Sequence, residues 1–192
     1  MGYRPAGNQL PGVCPAQRGG VDAEGGRMKQ SVETPNGAQA QPEISGENGM
    51  PRETYTAYAG AEPYFELIRN ALGDLVDGEH FFDIIADDIA YEVRYDLGWP
   101  RLTRGRADLM AQFKGYVDAI RLLSADRLFV TKADTGRVVV IEYDVHGKIL
   151  ATGADYQNRF CSIIELEDRK IARWRDYMDS HAAWNALTAS AG

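Results

Sequence analysis

The chain has 192 residues, a formal net charge of −7 at pH 7 and two cysteines, with a pI near 5.0. That length holds one domain with a tail, and the acidic balance excludes the basic patch that a nucleic acid or an anionic membrane surface requires. Cys14 and Cys161 sit in regions of different character, so neither a disulfide framework nor a zinc site is legible. No apolar run approaches the roughly 20 residues of a membrane helix, and the first residues lack the apolar core of a signal peptide. The expectation is a soluble cytoplasmic protein with no nucleic-acid or membrane partner.

Residues 1–55 are dominated by Gly, Pro, Gln, Asn and Glu, and Val13, Val21, Val32 and Ile44 stand apart without forming a periodic face. Such a segment cannot bury enough surface to offset about 1–2 kcal/mol per residue of backbone entropy. It is expected to be a disordered N-terminal tail, with a single domain over residues 56–192. Met28 and Met50 offer alternative translation starts to Met1.

From Ala61 the pattern changes. Phe65, Ile68, Leu72, Leu75 and Val76 recur at helical spacing and predict an amphipathic helix closed by Gly78. Phe81, Phe82, Ile84 and Ile85 predict a second, short apolar helix. After Ala86-Asp87-Asp88 comes a strand in which Ile89, Tyr91, Val93 and Tyr95 alternate with polar residues, ended by Gly98-Trp99-Pro100. Leu109, Met110, Phe113, Tyr116, Val117 and Ile120 form the stripe of a third helix. Strands follow at Leu128 to Ala133, Val138 to His146, Tyr156 to Leu166 and Ile171 to Asp179. Turns at Asp134 to Gly136, His146-Gly147 and Thr152-Gly153 separate the first three, and Glu167 to Lys170 makes a tight turn before the last. A short terminal helix spans Ala182 to Leu187. This layout is α+β, with helices packed on one face of a curled sheet.

The last strand carries the most informative face. A period of two puts Trp174, Asp176 and Met178 together, opposite Arg173, Arg175 and Tyr177. One carboxylate thus stands between an indole and a thioether. It is either a titratable group in an apolar pocket or a structural acid that accepts a buried tyrosine hydroxyl.

The element order, together with Phe82-Asp-Ile-Ile-Ala-Asp-Asp88, Gly105-Arg-Ala-Asp-Leu109 and Lys170-Ile-Ala-Arg-Trp-Arg-Asp-Tyr-Met-Asp179, resembles the SnoaL-like branch of the nuclear-transport-factor-2-like superfamily. The resemblance covers residues 61 to 188. It implies a cone-shaped fold, with helices on a strongly curved, mainly antiparallel sheet that encloses a pocket, and commonly a homodimer. The superfamily contains isomerases, dehydratases, cyclases and an epoxide hydrolase, and also transport factors and non-catalytic modules, so fold alone does not select a function. The last motif is similar to that of limonene-epoxide hydrolase, which has a catalytic acid at the position of Asp176 and a tyrosine at that of Tyr91. Its asparagine falls at Val93. Its Arg-x-Asp falls at Tyr143 and Val145 without a gap, or at Glu142 and Asp144 after a one-residue shift. The ungapped register sends Val139, Ile141, Tyr143 and Val145 inward and sets Glu142, Asp144 and His146 on the outer face with Arg159, Arg173 and Arg175. Opposite charges across strands contribute roughly 0.2–1 kcal/mol each, whereas the shifted register buries two acids without an inward arginine. A two-acid epoxide hydrolysis therefore lacks its second acid. The base of ketosteroid isomerase falls at Val93, which cannot move a proton. Polyketide cyclases of the SnoaL type resemble the chain better, since they work with one acid–base aspartate, an apolar cavity and no metal.

The expected pocket has Asp176, Tyr91 and Tyr143 as catalytic groups. Val93, Tyr95, Trp99, Val145, Tyr156, Asn158, Phe160, Trp174 and Met178 are its substrate-binding wall. Burial should raise the carboxyl's pKa, and the tyrosines can polarise a carbonyl. The three histidines, His80, His146 and His181, show no metal-ligand spacing. The expected function is cofactor-free proton transfer on a small, apolar carbonyl or polyketide-like compound, of isomerase, dehydratase or cyclase type. The alternative is a non-catalytic binding or dimerisation module with the same pocket. The homodimer is expected to use the outer sheet face, which carries Val130 or Phe129, Ile163 and Tyr177.

Overall fold

The computed structural model describes residues 55–189. The expected tail lies outside the described residues except for Tyr55. Pro63 in the first turn and Glu62 near the helix N-terminus start α1 (Glu62–Leu72), which buries Phe65, Ile68 and Leu72. Gly73, at φ 51, ends it. The helix therefore stops before Leu75 and Val76, which the spacing assigns to it. A 3-10 turn takes Gly73–Leu75 and leaves Val76 extended.

The expected second helix is a single 3-10 turn, Phe81–Ile84, held by a capping box. Nδ1 of His80 accepts from the Phe82 amide at 3.3 Å, and Asp83 accepts from the His80 amide at 2.8 Å. Strand β1 (Ile85–Val93) starts four residues before Ile89 and ends before Tyr95. The chain then makes an unanticipated short strand, β2 (Leu102–Arg104), antiparallel to β1. Helix α2 (Arg106–Ala119) buries Leu109, Phe113 and Val117. Ile120, expected on its stripe, instead opens β3 (Ile120–Lys132), which begins well before Leu128. Ile120 and Leu122 are buried while Arg121 and Leu123 are exposed, so the periodicity has already changed to two there.

Strand β4 (Val138–Ile149) runs through the expected turn at His146-Gly147. Gly147 lies against β3, where a Cβ would collide with the Arg121 carbonyl, so this glycine permits close strand approach rather than a turn. Strands β5 (Asp155–Glu167) and β6 (Lys170–Met178) form a hairpin. Its turn residues Asp168 and Arg169 have φ of 47 and 60, the left-handed pair that matches strand twist. Arg169 fixes the hairpin to the segment after α1 by two bonds to Asp77, at 2.6 and 2.7 Å. Helix α3 (Ser180–Thr188) is capped by Asp179, which accepts from the Ala182 amide at 3.0 Å.

The six strands form one curved mixed sheet in the order β2-β1-β6-β5-β4-β3. The β1–β6 pair is parallel and the others are antiparallel. Bulges within β3–β4 and β5–β6 accompany the curvature. The core between helices and sheet includes Phe65, Ile68, Phe81, Phe82, Ile141 and Trp174, all essentially inaccessible. Among the described residues no helix is long and apolar enough to cross a membrane.

Candidate active site

Parallel pairing of β1 with β6 and antiparallel pairing of β5 with β6 set Val93 and Ser162 on either side of Asp176. Asp176 is 2% exposed. Ser162 donates to its Oδ1 at 2.6 Å, and Tyr91 donates to its Oδ2 at 3.2 Å. Burial pushes the carboxyl up from 3.8 to about 7, and the donors Ser162 and Tyr91 hold it back from rising further. The indole of Trp174 adds a weaker pull in the same direction, although its Nε1 reaches no hydrogen-bond geometry and stays buried without a partner.

The groups facing Asp176 are phenols from four directions. Tyr64 comes from α1, Tyr91 from β1 and Tyr143 from β4, and Tyr95 follows β1; burial raises all four, followed by the aspartate's charge for Tyr91, Tyr143 and Tyr95 and by Tyr143 and then the aspartate for Tyr64. Burial also takes Tyr156 to about 12. All of them remain protonated at neutral pH, so they donate hydrogen bonds and do not act as bases. Asp176 is the group in this cluster poised to gain and lose a proton near pH 7.

A cavity of about 740 Å3 opens beside the carboxyl. Of the expected residues, Asp176, Tyr91, Tyr95, Trp99, Val145 and Phe160 line it. Tyr143 and Val145 point inward and Glu142 is exposed, as in the ungapped register. Tyr143 sits behind the wall and reaches Asp176 through Ser162, 3.2 Å from its hydroxyl. Val93 and Trp174 are buried next to Asp176 but do not line the cavity. Tyr156, Asn158 and Met178 lie off the wall as well, in a separate knot. There Asn158 donates to the Tyr156 hydroxyl at 3.3 Å and to the Asp179 carbonyl at 3.2 Å, and accepts from the Asp179 amide at 3.1 Å. These bonds tie β5 to the start of α3.

The sequence reading missed several contributors. Ser162 shares the inward parity of Asn158 and Phe160, and that signal was sufficient to find it. Phe113 and Tyr116 belong to the helical stripe, yet they also line the cavity, as does Tyr64. Trp99 packs edge-on against Tyr95 and Tyr116, with ring centroids 5.9 and 6.1 Å apart, and forms an aromatic rim. Thr103 on β2 bonds Gln112 on α2 at 2.5 Å, also on the wall. On the opposite sheet face, ligand atoms of Asp126, Asp144 and His146 lie within 4.8 Å of one another. These groups already have partners, since Asp144 meets Arg127 at 3.4 Å and His146 meets Asp126 at 3.3 Å. Asp144 has outward parity, as expected, but is 7% exposed.

The family model of the SnoaL-like domain matches residues 64–174. Over 90 residues the chain is 31% identical to the uncharacterized protein YesE of Bacillus subtilis (strain 168), a match covering 47% of this chain and 57% of YesE. The chain thus spans little more than half the length of that relative. Among solved structures, a provisionally named isomerase from Bacillus subtilis is 20% identical, with a TM-score of 0.56 over 72% of this chain and 99% of the other. A provisionally named polyketide cyclase from Xanthomonas campestris pv. campestris is 22% identical, with a TM-score of 0.53 over 71% and 98%. An NTF2-like protein from Burkholderia xenovorans LB400 is 17% identical, with a TM-score of 0.50 over 71% and 94%. At these identities the likeness to the solved structures is one of fold. With three α-helices on a curved six-stranded sheet among the described residues, and a family match across more than half its length, the chain belongs to the SnoaL-like family and has the nuclear-transport-factor-2-like fold.

Proposed function

We propose that the protein is an acid–base enzyme that moves a proton on a small, largely apolar carbonyl or polyketide-like compound, with Asp176 as the proton carrier. The observation that carries this reading is a buried carboxyl on the wall of a cavity, raised to about 7 by burial while two hydroxyls hold it in place. In the ionised form, Asp176 takes a proton from a carbon next to a carbonyl. The charge that develops on the carbonyl oxygen is met by a neutral phenol of the wall: once Oδ2 has taken the proton, the Tyr91 hydroxyl is released from Asp176 and turns to the substrate oxygen. Returning the proton to another carbon gives isomerisation. Returning it to a departing β-hydroxyl, which leaves as water, gives dehydration; attack of the enolate on a second carbonyl, with the proton going to the new alkoxide oxygen, gives cyclisation. The aromatic wall of Phe113, Tyr116, Phe160 and Trp99 suits a flat, apolar compound. The names of the isomerase and cyclase neighbours support the same class of chemistry.

The test uses 2-tetralone, an apolar bicyclic ketone with acidic protons beside its carbonyl, in deuterated buffer. Proton NMR should show exchange above the buffer rate with the native protein. Asp176→Asn should lower that protein-dependent rate by about 10²–10⁴-fold, the range for a lost general acid or base. Equal exchange by the variant and the native protein removes Asp176 from the role and leaves the binding-module reading.

A further inference from the structure

Asp176 presents its two oxygens to different surroundings. Oδ2 receives its bond from Tyr91, which lines the cavity; Oδ1 receives its bond from Ser162, which is inaccessible and off the cavity wall. A serine hydroxyl carries one proton. Since that proton lies in the 2.6 Å bond to Oδ1, the 3.2 Å contact between Ser162 and Tyr143 is bridged by the tyrosine's proton. The two bonds therefore run one way, from Tyr143 to Ser162 to Asp176.

We propose that Ser162, held by Tyr143, is a positioning residue that occupies Oδ1 and fixes the carboxyl's rotation, so that protons pass between Asp176 and a bound molecule at Oδ2. This rests on the reading of Asp176 as the proton carrier and assigns its two oxygens different tasks. In the forward step a substrate C–H bond breaks and an O–H bond forms at Oδ2. The electron pair stays on the substrate as an enolate, and Ser162 and Tyr143 keep their protons. In the return step the O–H bond at Oδ2 breaks and the proton joins a substrate carbon, which restores the carboxylate. Oδ1 lies on the side of the inaccessible Ser162 and in the shorter bond, 2.6 Å against 3.2 Å at Oδ2, so a bound molecule in the cavity meets Oδ2.

The experiment follows the carboxyl carbon shift of Asp176 against pH in the native protein, Ser162→Ala, Ser162→Thr and Tyr143→Phe, with amide spectra as the check on folding. Loss of a hydrogen bond to a charged group corresponds to about one to two pH units, so Ser162→Ala should titrate that much higher than the native protein. Tyr143→Phe should shift the same way by less, and Ser162→Thr, which keeps a hydroxyl, should return to the native value. Above all these titrations the carboxylate population is equal, so a difference in 2-tetralone exchange there reports on geometry. Ser162→Ala should then exchange about 10-fold more slowly or worse with an unchanged half-saturating concentration. Folded Ser162→Ala and Tyr143→Phe proteins that titrate and exchange like the native one overturn the positioning role and leave the Asp176 reading intact. If the native group titrates at the ordinary carboxylate value and Ser162→Ala still raises it, the Asp176 reading fails and the bond from Ser162 stands. Should Ser162→Ala not fold, Tyr143→Phe decides the matter by the same two readouts.

Discussion

Replacing Asp176 with asparagine should make the pH dependence of stability flatter. The carboxyl is raised from 3.8 to about 7 by burial, so the folded state holds its proton more tightly than the unfolded chain does. The sign follows directly for an acid raised on folding. Its protonated form favours the native state at low pH, and that advantage is lost progressively as pH rises from the unfolded to the folded value. The full difference corresponds to a destabilisation on the order of 4 kcal/mol above pH 7, at about 1.4 kcal/mol per unit. Between pH 5 and pH 8.5 the native protein should lose about 2–3 kcal/mol through this group, whereas the asparagine variant has no such loss. Urea unfolding of both proteins at the two pH values measures it, since all other titrating groups cancel in the difference. Bonds made by the asparagine amide change the offset between the curves, not their relative slope. Parallel curves from pH 5 to pH 8.5 would refute the buried-titration argument, because they would mean that Asp176 has nearly the same pKa folded and unfolded.

Two further outcomes are expected. Limited proteolysis that removes residues 1–54 should leave the melting temperature unchanged. A cut that also removes Tyr55 should lower it, because that ring is 8% exposed and stacks on His80 with centroids 3.6 Å apart. The protein should sediment as a homodimer at micromolar concentration through the outer sheet face, where Phe129, Glu142, Cys161 and Tyr177 stand in one cross-strand row and Phe129 is 62% exposed. Phe129→Asp should shift it to monomer, and a native protein that sediments as a monomer contradicts the interface.

The parts of the fold that could be read in advance are those where a local pattern decides. Alternation through Ile89, Tyr91 and Val93, and through Trp174, Asp176 and Met178, assigned the faces on which the buried side chains stand. Val130 and Phe129 could not be separated until the register paired Val130 with buried Ile141 and Phe129 with exposed Glu142. Non-local pairing was not legible either. Nothing in β1 or β6 alone announces that they run parallel, yet that pairing brings the Tyr91 hydroxyl to Asp176. Strand β2 was missed because its three residues, Leu102–Arg104, are too few to show a period. The start of β3 was missed because Ile120 satisfies the helical stripe and the strand alternation at once. Asn158 looked like a pocket group on parity, but the knot it forms with Tyr156 and Asp179 depends on where α3 begins.

The central claim is that Asp176 exchanges its proton near neutral pH, and the most direct measurement is the carboxyl carbon shift of that residue in the native protein across pH 3 to 9. A midpoint at about 7, arising from burial, is expected. A midpoint at or below the ordinary value of about 3.9 would contradict it: the carboxyl would then be solvated or ion-paired, and the cavity would have no group able to carry a proton at neutral pH.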